Sequence, residues 1–120
     1  MVRVYPLDHN SRIFRNAYVI DTGKLFNYGS LTPYVSKLVF VLEGTERDYE
    51  IADIFENEFE EFDPTCDVII PTGRVFAAFI LGFMLRKFEE VFVGIYEKKM
   101  YNFVRISYLN TERIITNDGF

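Results

Sequence analysis

Tryptophan is absent from this chain, and histidine and cysteine occur once each, as His9 and Cys66. A lone thiol allows no intramolecular disulfide, so the fold must stand on packing, and a reduced cytoplasmic setting is the simple expectation. One His and one Cys cannot build a structural zinc site. The glycine frames that cradle phosphates, Gly-x-x-x-x-Gly-Lys and Gly-x-Gly-x-x-Gly, are both missing. No serine sits in the Gly-x-Ser-x-Gly setting of an activated nucleophile. The longest uncharged apolar run, Val75 to Leu85, is too short to span a bilayer, so no membrane partner is expected. Arg3 and Asp8 interrupt the N-terminal segment before any signal-like apolar run develops. Repeats and low-complexity tracts are also lacking.

What is present points to one dense domain. The 120 residues are 49% apolar and 18% aromatic, with thirteen Phe and eight Tyr. That is enough apolar surface for a single core. The net charge of −5 is unevenly spread: residues 46–63 hold nine of the eighteen acidic groups and one basic residue, Arg47. The remainder carries nine acidic against twelve basic residues, a balance of +3. The acidic total disfavours nucleic acid as a partner, while the acidic face of 46–63 could dock a basic protein or stand as plain solvated surface.

Along the chain, Val2–Leu7 reads as a first strand and Asp8–Arg12 as a polar loop. Residues 13–36 carry no clear pattern beyond a short helical turn stopped by Gly29. Lys37–Leu42 is a buried strand. Thr45 then opens a helix, with Asp48 three residues on as a capping-box variant. Its stripe is Ile51, Ile54, Phe55, Phe59 and Phe62, and Asp63-Pro64 closes it. Val68–Pro71 is the next strand, and Arg74 to Phe88 a helix apolar nearly all round, which needs cover on two sides. Val91–Tyr96 and Tyr101–Tyr108 form a closing hairpin whose second strand has the pattern of an exposed edge. The expected fold is a three-layer Rossmann-like or flavodoxin-like α/β domain over residues 1–108. Its sheet is mostly parallel, with about five strands in the order 2-1-3-4-5, followed by a polar tail over 109–120.

In such sheets ligands gather beyond the carboxyl ends of the strands. Two loops are expected to meet there, Asp8-His9-Asn10-Ser11-Arg12 and Thr72-Gly73-Arg74. They offer a hydroxyl, two guanidinium groups, an imidazole and backbone amides at a helix N-terminus, a set suited to a nucleotide phosphate or other small anion. The plain alternative is that Thr72 caps the helix, Gly73 makes the turn and the arginines are solvated. His9 beside Asp8 is the one candidate general base, for a hydrolase or phosphodiesterase, and an ordinary loop histidine is the plainer reading. Glu56, Glu60 and Asp63 could hold a hard cation loosely, or be solvated carboxylates. No catalytic constellation, resident metal or cofactor is expected.

Several features taken together resemble the small, uncharacterised Rossmann-like accessory proteins of bacteriophages and other prokaryotic viruses. They are the short first strand, Asp21 with Tyr28-Gly29, the strand-and-Gly unit Lys37–Gly44, the segment from Phe62-Asp63-Pro64 to Asp67-Val-Ile-Ile, and the Val-Gly-Ile-Tyr96 hairpin. The resemblance covers roughly residues 2–108, departs from the pattern over 9–36, and carries over no catalytic residue. It implies a viral accessory protein of the host cytoplasm. A narrower similarity, confined to Thr72, Gly73 and Arg74, is to the ligand-sensing Rossmann domains of CRISPR-associated effectors. With the over-apolar second helix, the leading expectation is a non-enzymatic binding protein acting as a homo-oligomer, a homodimer at simplest. A nucleotide or anion module, a hydrolase and a structural virion component are the alternatives.

Overall fold

The computed structural model describes residues 2–7, 13–21 and 28–108. Six strands form one mixed sheet: β1 Val2–Pro6, β2 Phe14–Asp21, β3 Val35–Leu42, β4 Val68–Ile70, β5 Glu90–Glu97 and β6 Met100–Tyr108. Their spatial order is β1-β6-β5-β4-β2-β3. The pairs β2–β3, β2–β4 and β4–β5 are parallel, whereas β5–β6 and β1–β6 are antiparallel. The α/β class expected from the sequence is present, but the sheet has six strands rather than about five, and the expected order 2-1-3-4-5 is not found. The interior place between β3 and β4, expected for Val2–Leu7, is held by β2 from the 13–36 segment, and Val2–Pro6 lies at the far edge. The closing hairpin is present, but β6 is covered on its outer side by β1 and is an interior strand. Its turn residues Lys98 and Lys99 both take positive φ, 50° and 67°, the backbone twist that two-residue hairpin loops require.

Two helices follow, α1 Ile51–Glu58 and α2 Val75–Met84. Crossover handedness explains why both lie on one face. The steps β3 to β4 and β4 to β5 run in the same direction across the sheet, so right-handed connections put α1 and α2 on the same side. The step β2 to β3 runs the other way and sends its connection to the reverse face. Among the described residues that face carries the 3-10 turn Tyr28–Leu31, with Leu31 buried, rather than the helix a three-layer domain would place there.

The aromatic residues fill both faces. On the helical side Tyr18, Phe55, Phe59 and Phe62 pack with Ile20, Ile69, Ala77 and Leu81, and Tyr18 stacks on Phe59 at 4.8 Å. On the reverse side Phe14, Tyr101 and Phe103 pack with Leu31, Val35 and Phe92. The stripe predicted for the first helix is the buried one, but its start is different. A 3-10 turn over Asp48–Glu50 precedes α1, and the Glu50 carboxylate, not Asp48, closes the box by accepting the Arg47 backbone N–H at 3.3 Å. Asp53, Glu56, Glu58, Glu60 and Glu61 form its exposed acidic side.

At the amino end of β4 the wholly buried Asp67 binds β2 and the α1–β4 connection together. Its carboxylate accepts two bonds from Arg15, at 3.0 and 2.7 Å, and the backbone N–H groups of Asn16 at 3.2 Å and Asp63 at 2.9 Å. The hydrogen bond to Asp67 and its charge push the Arg15 pKa further up. Arg15 is half-exposed, which screens its share, so the part-buried N–H groups of Asn16 and Asp63 carry most of the cost of losing this carboxylate. Asp67→Ala is expected to lower unfolding stability by about 2–3 kcal/mol in urea titrations.

Candidate functional site

The carboxyl edge of the parallel strands is where the sequence directs attention, and β2 and β4 end there side by side. β2 finishes at Asp21, a charged residue only 1% exposed. After β4 the chain turns through Pro71, Thr72 and Gly73 into α2. The Thr72 hydroxyl accepts from the Asp21 N–H at 3.2 Å and donates to the Asp21 carbonyl at 2.7 Å, extending the β2–β4 ladder by one side chain. Thr72 therefore fastens two strands instead of capping the helix. Gly73 has φ +83°, and a Cβ built on it would lie 2.2 Å from the Asp21 Cβ. Both facts demand glycine, because the left-handed backbone and the contact each exclude a side chain.

That close approach delivers the Asp21 carboxylate to the N-terminus of α2. Its Oδ2 accepts from the Arg74 backbone N–H at 3.3 Å and from Arg74 Nε at 2.9 Å. The far side of the guanidinium donates to the Glu46 carbonyl and, at 3.4 Å, to Glu46 Oε1, and Asp48 stands 3.9 Å away. Glu46 in turn accepts from the N–H groups of Glu43 at 2.7 Å and Gly44 at 3.0 Å. Burial works against ionisation of Glu46, but the backbone N–H groups of Glu43, Glu46 and Gly44, together with Arg74, outweigh it and hold its carboxyl below the ordinary value. Burial, then the Asp21 charge, pushes the nearby Tyr28 phenol up, with Thr72 pulling it back.

The position an incoming phosphate would take at the start of a helix is thus filled by the chain's own carboxylate. Three acidic side chains surround one guanidinium, and an external anion would have to displace Asp21 to reach it. Thr72, Gly73 and Arg74 are brought together as the sequence suggests. What the spacing does not show is Asp21, whose partner lies more than fifty positions away. The other five candidates, Asp8, His9, Asn10, Ser11 and Arg12, lie outside the described residues. The strand that leads to them, β1, points to the same edge but stands three strand spacings from β4, about 14 Å. Among the described residues no three Asp, Glu, Cys or His side chains converge as metal ligands, and no helix is long and apolar enough to cross a membrane. Cys66 is exposed, not tucked against β4.

Compared with known proteins, the chain matches no family model, no curated protein and no solved structure.

A second feature of the same junction is the outer side of α2. Ala77 and Leu81 bury against the sheet, and Ile80 and Met84 pack partly into the helical core. Opposite them Val75 is 85% exposed, Phe79 62% and Phe83 59%, and the two phenylalanine rings meet edge to face at 5.2 Å. The helix carries no charge from Val75 to Leu85, so this outer side is continuous apolar surface.

Two outcomes follow from the junction. Gly73→Ala is expected to cost more than about 2 kcal/mol in urea unfolding. For Glu46 the folded-state pKa is lowered, so its contribution is fully present above the unfolded value near 4.5 and disappears as pH falls through the lower folded value. Stability measured against pH in Glu46→Gln should fall less steeply below about pH 5 than in the parent. Some slope should remain, because Asp63, held down first by the Thr65 hydroxyl, titrates in the same window.

Proposed function

We propose that this chain acts by binding rather than by catalysis, and that its working form is a homo-oligomer assembled through the outer side of α2. The observation that carries this reading is the exposed Phe79–Phe83 pair on a helix without charge. Monomeric soluble proteins rarely leave such surface open. A second copy is the partner that suits it. With no charged residue from Val75 to Leu85, a twofold apposition brings no like charges together on the apolar face. The two ends of the helix are also complementary. The exposed Asp48 flanks its start and Lys87 follows its end, so antiparallel apposition sets a cation of one copy beside a carboxylate of the other.

The order of the four parallel strands, β3-β2-β4-β5, supports reading the domain as a Rossmann-like one with a single helical layer. The viral accessory setting rests on the sequence resemblance, and a host-cytoplasmic location goes with it. The acidic side of α1 is left as the surface for a basic partner. A nucleotide module at Thr72-Gly73-Arg74 fits the geometry less well, because Asp21 already holds the donors such a ligand needs.

The test is the mass in solution. Sedimentation velocity over a range of micromolar concentrations should show a dimer or larger species for the parent chain. Phe79→Glu with Phe83→Glu should give a monomer with an unchanged far-ultraviolet circular dichroism spectrum. A parent chain that is monomeric throughout that range would sink the proposal.

A further inference from the structure

Helix α2 has a fourth flank besides those on the sheet, on the core and in solvent. At 100° per residue, Ala78, Gly82 and Leu85 fall on it. α1 and α2 lie over the parallel part of the sheet, but the sheet continues past β5 to β6 and β1. Among the described residues, the flank therefore overhangs strand surface that no helix covers. Two of the helix's three small residues, Ala78 and Gly82, stand there, and a pocket of about 280 Å³ results. Its walls are apolar, including Ile69, Val91 and Val93 from the central strands and Val2 and Ile106 from the outer ones. A Cβ built on Gly82 would meet nothing within 4 Å.

Charged side chains reach this pocket as Arg86, Glu89 and Glu90. Glu90 is paired with Arg105 at 3.5 Å, and Glu89 also has a partner. Arg86 is exposed and makes no ion pair or hydrogen bond among the described residues. An apolar enclosure beside an uncommitted guanidinium is complementary to an apolar chain ending in an anion. Size narrows the choice. An apolar cavity of about 150 Å³ accommodates a benzene ring, so the present volume suits roughly ten non-hydrogen atoms.

We propose that the pocket between α2 and strands β4, β5, β6 and β1 binds a free aliphatic carboxylate of about eight to ten carbons, its chain along Ala78 and Gly82 and its carboxylate on Arg86. The site lies on a different flank from the self-association face, so either can fail while the other stands.

Octanoate and 1-octanol are the probes, added to the full chain while methyl carbon–proton NMR spectra are followed. Octanoate should move the Ile69, Val91, Val93 and Ile106 methyl signals saturably at submillimolar concentration, and octanol should bind more weakly. Arg86→Gln should weaken octanoate about tenfold and remove its advantage over octanol. Gly82→Leu, or Ala78→Leu should that variant not fold, should fill the pocket and abolish the response at unchanged thermal stability. The proposal is overturned if millimolar octanoate moves none of these signals, or if the pocket-filling variants respond like the parent. It is overturned as well if octanol binds as tightly as octanoate. No octanoate response in the parent chain, together with a change of sedimenting mass in Gly82→Leu, would overturn the proposal and assign the pocket to a second copy.

Discussion

A carboxylate buried at the end of an interior strand has to be neutralised where it stands, and at Asp21 that requirement organises the surrounding structure. Arg74 supplies the positive charge and the first amide of α2, so helix and strand are joined at the helix N-terminus. Thr72 must turn its hydroxyl to the Asp21 backbone, and Gly73 must be glycine for the chain to pass the Asp21 side chain. Glu46 completes the arrangement from the β3–α1 connection. The end of β2 and the connections that follow β3 and β4 thus converge on one ion pair. Arg15 and Asp67 do the same work at the opposite end of β2 and β4, so the short strand β4 is pinned at both ends.

This arrangement decides where the molecule can interact. The helix terminus that often receives anions in α/β domains is satisfied internally, and its acidic surroundings repel further negative charge. Interaction surface remains on α2 itself. One flank is committed to the sheet, another to the helical core, the outer one shows two phenylalanines meeting edge to face, and the last overhangs strand surface that no described helix covers. A helix that is apolar all round in a sheet only six strands wide cannot bury all of itself, and the residue types on each flank determine what the unburied parts can hold.

The parts of the fold that could be read from the sequence are those with local periodicity. Ile51, Phe55, Phe59 and Phe62 mark the buried side of α1, the run after Arg74 marks α2, and the closing hairpin shows as two apolar segments around a short polar turn. Strand β2 could not be read the same way. Ala17 to Ile20 is too short an apolar run to distinguish strand from helix, and it is flanked by Arg15 and Asp21, which look like surface residues. Their partners, Asp67 and Arg74, are about fifty residues away, so nothing local reveals that both are tied into the interior. For the candidate site, Thr72, Gly73 and Arg74 were visible as a strand-to-helix turn. The occupant of that turn was not, because Asp21 belongs to the strand whose place had been given to Val2–Leu7. The exposed edge assigned to β6 failed for a related reason: alternation shows that a strand has two kinds of face but not what stands beside it.

The account turns on the outer side of α2 being an interface between copies. Solvent paramagnetic relaxation of the aromatic proton signals, with a soluble inert probe and a dilution series, reads that side residue by residue. The rings of Phe79 and Phe83 should be shielded at high protein concentration and become strongly relaxed on dilution, while the buried ring of Phe14 stays shielded throughout. Equal, strong relaxation of Phe79 and Phe83 at every concentration would contradict the account.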